Sequence, residues 1–185
     1  MAERPACIGN FRELLEPTPP WSRGTDLEGE IARLGRTLGL SRIGVNYQIV
    51  PPGHRTSLPH AHDREEELVL VVSGTPDLWL DGTLHRLEPG DAVAFPPGTG
   101  IAHTFLNNRD EAVHLLIVGD ANAADALGDR VSYPLNPEMR AHPRFWHDAP
   151  ERALEAHDAK PKRTGELSVC RCRQEKRRGR RCRTE

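Results

Sequence analysis

The chain has 185 residues, enough for one domain with extensions at its ends. Hydrophobic residues make up 37% and aromatics 5%, and no apolar run approaches the ~20 residues needed to cross a bilayer, which excludes a helical membrane span. The net charge of -2 hides a division: Lys160 to Glu185 holds 11 Lys+Arg against 3 Asp+Glu, including all three lysines (Lys160, Lys162 and Lys176), while the rest of the chain is acidic.

The N-terminal stretch MAERPACIGNF lacks the apolar segment of a secretory signal, so a cytoplasmic location is expected. The cysteines Cys7, Cys170, Cys172 and Cys182 all lie outside the central segment, a distribution unlike that of a disulfide scaffold. Residues 1–40 read as an N-terminal arm. Pro17, Pro19, Pro20 and Trp21 favour extended backbone. Leu27, Ile31 and Leu34 fit either a helical turn or an extended arm cut by Gly24, Gly29, Gly35 and Gly39.

From Ser41 the pattern turns to β. Ile43, Val45, Tyr47 and Ile49 alternate with polar or small residues, as in a half-buried strand. Leu68 to Val72 is a continuous apolar run that predicts a strand buried on both sides. Asp77–Leu80 and Thr83–Leu87 flank Asp81-Gly82, a hairpin turn signal. Ala92–Phe95, Ala102–Leu106 and Ala112–Val118 follow, separated by turns rich in Pro, Gly and Asn. About seven short strands with turn chemistry between them predict an all-β sandwich or barrel over 41–120. Residues 121–159 read as a C-terminal extension packing on the barrel, with a helical turn at Ala121–Leu127, an apolar anchor at Phe145-Trp146 and little to bury beyond Glu151. Residues 160–185 read as a basic, disordered tail.

Chemistry concentrates in Gly53–Gly74. His60 and His62 are two apart, so on a strand both imidazoles point to one face. Glu67 opens the apolar run, where an unpartnered carboxylate would be costly to bury. Two imidazoles and a carboxylate that face one another suit a divalent transition metal. A second segment, Gly90–Asn107, has the same layout and carries His103.

These two segments resemble the paired signature motifs of the cupin superfamily. The first motif is Gly53, His60, His62, Glu67 and Gly74, with six residues rather than five after the first glycine. The second is Gly90, Pro96, Gly98, His103 and Asn107, with Thr99-Gly100 widening one turn. The wording around them is similar to small single-domain bacterial proteins of the conserved-barrel type. The resemblance implies a double-stranded β-helix (jelly roll), a homodimer, and a metal held by His60, His62, Glu67 and His103. The metal would be one divalent ion among Mn, Fe, Zn, Ni, Co and Cu, with a coordination position left open for water or substrate.

Glu65 and Glu66 read as solvated turn residues. A one-residue slip would make Glu66 the ligand, but Glu67 leaves Gly74 at the expected interval. His114 is a candidate to face the site only if its side of the last strand looks inward. His85 reads as a surface residue, as do His142, His147 and His157, and Trp79 and Phe105 as core. Cys170-x-Cys172 lacks the second pair of a zinc site. The basic run Gln174–Arg183 carries no interleaved aromatics, so nucleic acid is not an expected partner.

Two functions fit. One is a metal-dependent enzyme acting on a small polar molecule in the barrel mouth, by dioxygenase, isomerase or decarboxylase chemistry, with no catalytic residue singled out. The other is a non-catalytic barrel that binds a small ligand or metal, for example as a sensor. The first ~40 residues are too short and too broken by Gly and Pro for a helix-turn-helix partner.

Overall fold

A computed structural model describes residues 4–18, 26–121 and 128–162. A 3-10 turn at Phe11–Glu13 precedes strands β1 (Glu16–Pro17) and β2 (Glu30–Ala32), which are followed by one α-helical turn, α1 (Leu34–Thr37). Strands β3 (Ile43–Val50), β4 (Ala61–His62), β5 (Glu67–Ser73), β6 (Asp77–Leu80), β7 (Thr83–Arg86), β8 (Ala92–Phe95), β9 (His103–Leu106) and β10 (Val113–Asp120) build the barrel. Strand β11 (Val131–Ser132) and a 3-10 turn at Pro137–Ala141 follow.

Every strand pair is antiparallel. One sheet has the order β1-β2-β3-β10-β5-β8, a second β7-β6-β9, and a third pairs β11 with β4. The bridges Arg55↔Leu106 and His60↔His103 tie the segment before β4 to β9, extending the second sheet toward the third. The two faces enclose a core of Val50, Val69, Val71, Phe95, Val113 and Leu115 from the large sheet against Leu78 and Phe105 from the small one. This is the all-β barrel that the strand spacing predicted, in the jelly-roll form that the cupin resemblance implied.

The expectation for Leu68–Val72 needs correction. Val69 and Val71 are buried, but Leu68 and Val72 are 43% and 42% exposed. The run therefore alternates between core and outer face; its apolar outer residues hid the period of two. In the N-terminal arm, the residues around Ile31 are extended and pair with β3 (Ile31↔Gln48), and an α-helical turn forms just after them, at Leu34–Thr37. Residues 19–25, 122–127 and 163–185 lie outside the described residues. The readings of Pro19-Pro20-Trp21, most of the Ala121–Leu127 turn and the basic tail with its three cysteines therefore have no structural counterpart here.

A second apolar cluster covers the outer side of the small sheet: Trp79 and Leu106 pack with Trp146 and Ala159. Residues beyond Glu151 thus bury more than their composition suggested. The Trp79 indole donates to His157 O at 2.7 Å, and Arg152 Nε pairs with Asp81 Oδ2 at 2.7 Å. Glu155 N donates to Asp81 O at 2.8 Å. Gly82, at φ +94°, makes this docking possible, because a Cβ there would lie 2.3 Å from Glu155 O.

Candidate metal centre

The site forms where β4 and β9 of the small sheets face the start of β5 in the large one. His60 and His103 are cross-strand neighbours: His60 N donates to His103 O at 3.2 Å, and His103 N to His60 O at 2.9 Å. Their rings lie 4.8 Å apart, and the rings of His60 and His62 are also 4.8 Å apart. Glu67, opening β5, projects toward them from the opposite sheet. His62 Nε2 is 3.9 Å from Glu67 Oε2, and His103 Nε2 is 3.7 Å from Glu67 Oε1.

These gaps are too long for hydrogen bonds. They approach the separation of about 3–3.5 Å expected between atoms that share an ion at about 2.1 Å. One ligand atom each from His60, His62 and Glu67 fits within a mutual 4.8 Å. His103 lies just outside that trio, its ring stacked on Phe95 at 3.5 Å and 9°.

Nitrogens that would serve a metal are left without hydrogen bonds. His62 Nε2 and both ring nitrogens of His103 are buried and unpartnered. The nitrogens on the far sides are held by the protein. His60 Nδ1 lies 2.8 Å from Leu58 O and 3.2 Å from Ser57 Oγ, and His62 Nδ1 lies 2.5 Å from Asp129 Oδ2. Unpaired buried nitrogens are costly unless something fills the gap between them. Three imidazoles and a carboxylate are a donor set that a divalent transition metal satisfies.

The electrostatics agree with that reading. Burial, with the neighbouring His103 and His62, pushes the His60 pKa down to about 3, which leaves a neutral imidazole with a free lone pair. Burial alone would raise Glu67, but the surrounding imidazoles outweigh it and hold its carboxyl below the usual range. Burial also works against charge on His62, yet the Asp129 hydrogen bond and nearby carboxylates bring its net shift upward.

Three neighbours escaped the sequence reading. Glu65 turns inward, its side chain 28% exposed and its Oε2 3.7 Å from His62 Nδ1. Burial pushes its carboxyl up to about 7. The bare backbone of Gly119 gives it room, since a Cβ there would lie 2.8 Å from Glu65 Oε1. Asp129 and Tyr133 come from the segment around β11, beyond the barrel. The Tyr133 ring lies 6.1 Å from that of His60, and burial, with the charge of Asp129, raises its hydroxyl above the ordinary tyrosine value. A lone Asp or Tyr in a loop after the last barrel strand carries no periodicity or motif that would mark it.

Glu66 is exposed, so Glu67 is the glutamate that meets the imidazoles. His114 faces outward and pairs its Nδ1 with Tyr47 Oη at 3.1 Å, so it takes no part in the site. His85, His142 and His147 are exposed, but His157 is half-buried, its Nδ1 accepting from Ala159 N at 3.0 Å. Beside Glu67 and Phe95, where the ends of β3, β5, β8 and β10 meet, a cavity of about 870 Å³ opens, lined also by Arg42, Glu66 and Asp120.

Comparison with known proteins agrees with this geometry. Residues 46–119 match the cupin domain family (Cupin_2), a span that includes His60, His62, Glu67 and His103 but ends before Asp129 and Tyr133. A sugar phosphate isomerase of the cupin superfamily from Silicibacter pomeroyi is 32% identical, with a TM-score of 0.52, over 57% of this chain and 76% of that one. "Polyketide synthase CurC" of Streptomyces cyaneus is 26% identical over 159 residues, 84% of this chain and 94% of that protein. The polyketide cyclase RemF of Streptomyces resistomycificus, 22% identical over 65% of this chain and 80% of that one, shares the fold with a TM-score of 0.51. With its two motifs meeting inside a jelly-roll barrel and its likeness to the Silicibacter protein, the chain belongs to the cupin superfamily.

Proposed function

We propose that this protein is a metal-dependent enzyme that moves protons on an enolisable polycarbonyl compound of polyketide type and closes a ring by aldol addition. The observation that carries the reading is the union of two groups at one end of the barrel. One is a donor set of His60, His62, Glu67 and His103 suited to a divalent ion. The other is a flank of proton-bearing side chains, Glu65 and Tyr133. The similarity to the Streptomyces cyaneus polyketide synthase spans nearly the whole of both chains, which supports this substrate class. The fold alone does not choose a reaction.

A divalent ion in this site supplies Lewis acidity to a carbonyl oxygen. His60, His62, Glu67 and His103 would hold it. His60, kept neutral by burial, offers a lone pair rather than a proton. Glu65 lies within reach of a molecule entering beside Glu67 and can carry a proton away from an acidic C–H. Tyr133 can hydrogen-bond an oxygen on the opposite flank. In aldol closure a Cα–H proton leaves, a C–C bond forms to a second carbonyl carbon, and that carbonyl's oxygen gains the proton. No oxidant is consumed. The open cavity beside Glu67 has room for a molecule of a few rings.

A second reading, interconversion of sugar phosphates, is favoured by the 32% identity to the Silicibacter isomerase. The charge near the site weighs against it. Glu67, Asp129 and Asp120 all raise the proton affinity of Glu65, and Arg42 is the one cation among the described residues lining the cavity. A phosphate dianion would meet carboxylates there. The test is deuterium exchange at the central carbon of a short 1,3,5-triketone in D2O, followed by NMR with the protein loaded with Mn, Fe, Zn, Ni or Co. Metal-dependent exchange or ring closure that falls in Glu65→Gln supports the proposal. Aldose–ketose phosphate interconversion without triketone exchange would replace it with the second reading. Triketone binding without exchange would make the protein a non-catalytic binding barrel.

A further inference from the structure

We infer that Asp129, contributed from outside the barrel, is a positioning residue that fixes the ring and tautomer of His62 so that Nε2 presents its lone pair to the metal. This inference rests on the metal reading of the site but not on any reaction.

The geometry is specific. Asp129 is 6% exposed, and its two oxygens have separate duties. Oδ2 lies 2.5 Å from His62 Nδ1, while Oδ1 accepts from the backbone N–H groups of Arg64 at 2.9 Å and Glu65 at 3.2 Å. With both N–H groups fixing the carboxylate, Oδ2 is left as an acceptor for Nδ1–H. A proton on Nδ1 leaves Nε2 as the lone-pair nitrogen, and Nε2 is the buried atom with no partner, 3.9 Å from Glu67 Oε2. Glu65 approaches the same Nδ1 only to 3.7 Å, beyond hydrogen-bond reach.

The backbone holds Asp129 in place. β11 pairs with β4 in the register Val131↔His62 and Ser132↔Ala61. Asp63 N donates to Arg130 O at 2.9 Å, and Arg130 Nε returns to Asp63 Oδ2 at 2.8 Å. On its other side, Val131 exchanges backbone hydrogen bonds with Arg144 and Trp146 at 2.9 and 3.0 Å. The segment carrying Asp129 is thus stitched to the strand that carries His62, although residues 46–119 hold all four ligand candidates. Carboxylates behind a ligating histidine typically contribute 10–100-fold to metal affinity.

Two variants separate this role from simple packing. Asp129→Asn is nearly isosteric, and its oxygen can still accept from Arg64 and Glu65. Its NH2 then faces His62 Nδ1, which must become an acceptor, and the proton moves to Nε2, where it blocks coordination. Asp129→Ala removes the contact without imposing the wrong tautomer. Zn2+ affinity would be measured by competition with a chromogenic chelator, beside 15N-imidazole spectra of the metal-free proteins and their melting temperatures. The expected result is Zn2+ binding weakened about 10–100-fold in Asp129→Ala and at least as much in Asp129→Asn. The His62 Nδ1–H resonance should be lost in the Asn variant, with its melting temperature close to wild type. Zn2+ affinity in Asp129→Asn within threefold of wild type, or an unmoved His62 tautomer, overturns the inference. Wild-type protein that binds none of Mn, Fe, Co, Ni, Cu and Zn overturns the metal reading and this role with it, whereas failure of triketone chemistry leaves both standing.

Discussion

His103 lies face to face with Phe95, ring centroids 3.5 Å apart and planes 9° from parallel, and neither of its ring nitrogens has a hydrogen-bond partner. The stack fixes the plane of the imidazole without using its polar atoms, which suits a ligand and not a structural histidine. Unpaired polar atoms of this kind cost about 1–3 kcal/mol in a metal-free protein. His103→Leu should therefore leave the metal-free melting temperature unchanged or raise it, and abolish the increase that Zn2+ gives the wild type. A metal-free variant that melts far below wild type would show that the imidazole has a polar role in packing.

Glu65 should make the metal-free protein less stable as pH rises. Its pKa lies near 4.5 in an unfolded chain and about 7 in the folded one. Between those values the folded chain holds a proton that the unfolded chain has released. This contribution is therefore fully present below about pH 4.5 and is lost as pH rises through about 7. With the side chain 28% exposed, the effect is on the order of 2 kcal/mol. His60, held neutral by burial, contributes the opposite slope below its ordinary pKa in both proteins, so the Glu65 effect is read as the difference: from pH 4.5 to 8 the denaturation midpoint of wild type should fall relative to that of Glu65→Gln. Equal slopes would mean that Glu65 titrates normally.

Gly82→Ala should detach the C-terminal strap. The residue sits at φ +94°, and its Cβ would lie 2.3–2.5 Å from backbone atoms of Glu155. Positive φ and a backbone clash together should destabilise by more than about 2 kcal/mol. Chemical denaturation measures this, and faster amide exchange at Glu155 and His157 would locate it. A loss below about 0.5 kcal/mol would contradict the contact.

Trp146→Ala should cost about 3–5 kcal/mol, because Trp146 is 5% exposed and packs on Trp79 and Leu106. The site lies on the inner side of the small sheet, so Zn2+ affinity should change far less than stability. Loss of metal in parallel with stability would show that the Trp146 side chain, and not only its backbone bond to Val131, holds β11 in place.

Most of the barrel and its ligand candidates were legible because both are written in short-range pattern. The i, i+2 spacing of His60 and His62 specifies a face, and Asp81-Gly82 specifies a hairpin; the structure shows both. Leu68–Val72 misled because an outer sheet face can be apolar without being covered, and a run of leucines and valines then shows no alternation. Glu65, Asp129 and Tyr133 were illegible for a different reason. Their importance comes from contacts across 64 or more positions, Asp129 to His62 and to Glu65, which no local periodicity records. The strap at Arg152–Ala159 was expected to pack on the barrel with little to bury, because it binds mainly through backbone groups that composition does not reveal.

The central claim is that His60, His62, Glu67 and His103 together hold one divalent ion. Elemental analysis of protein purified without added metal, alongside His62→Ala and Glu67→Gln, tests it most directly. About one transition-metal ion per chain in wild type, falling below about a tenth in both variants while their circular dichroism stays that of a β-barrel, is the result expected. Wild-type protein that stays metal-free even after incubation with Mn, Fe, Co, Ni, Cu and Zn, or variants that retain the full complement, would contradict it.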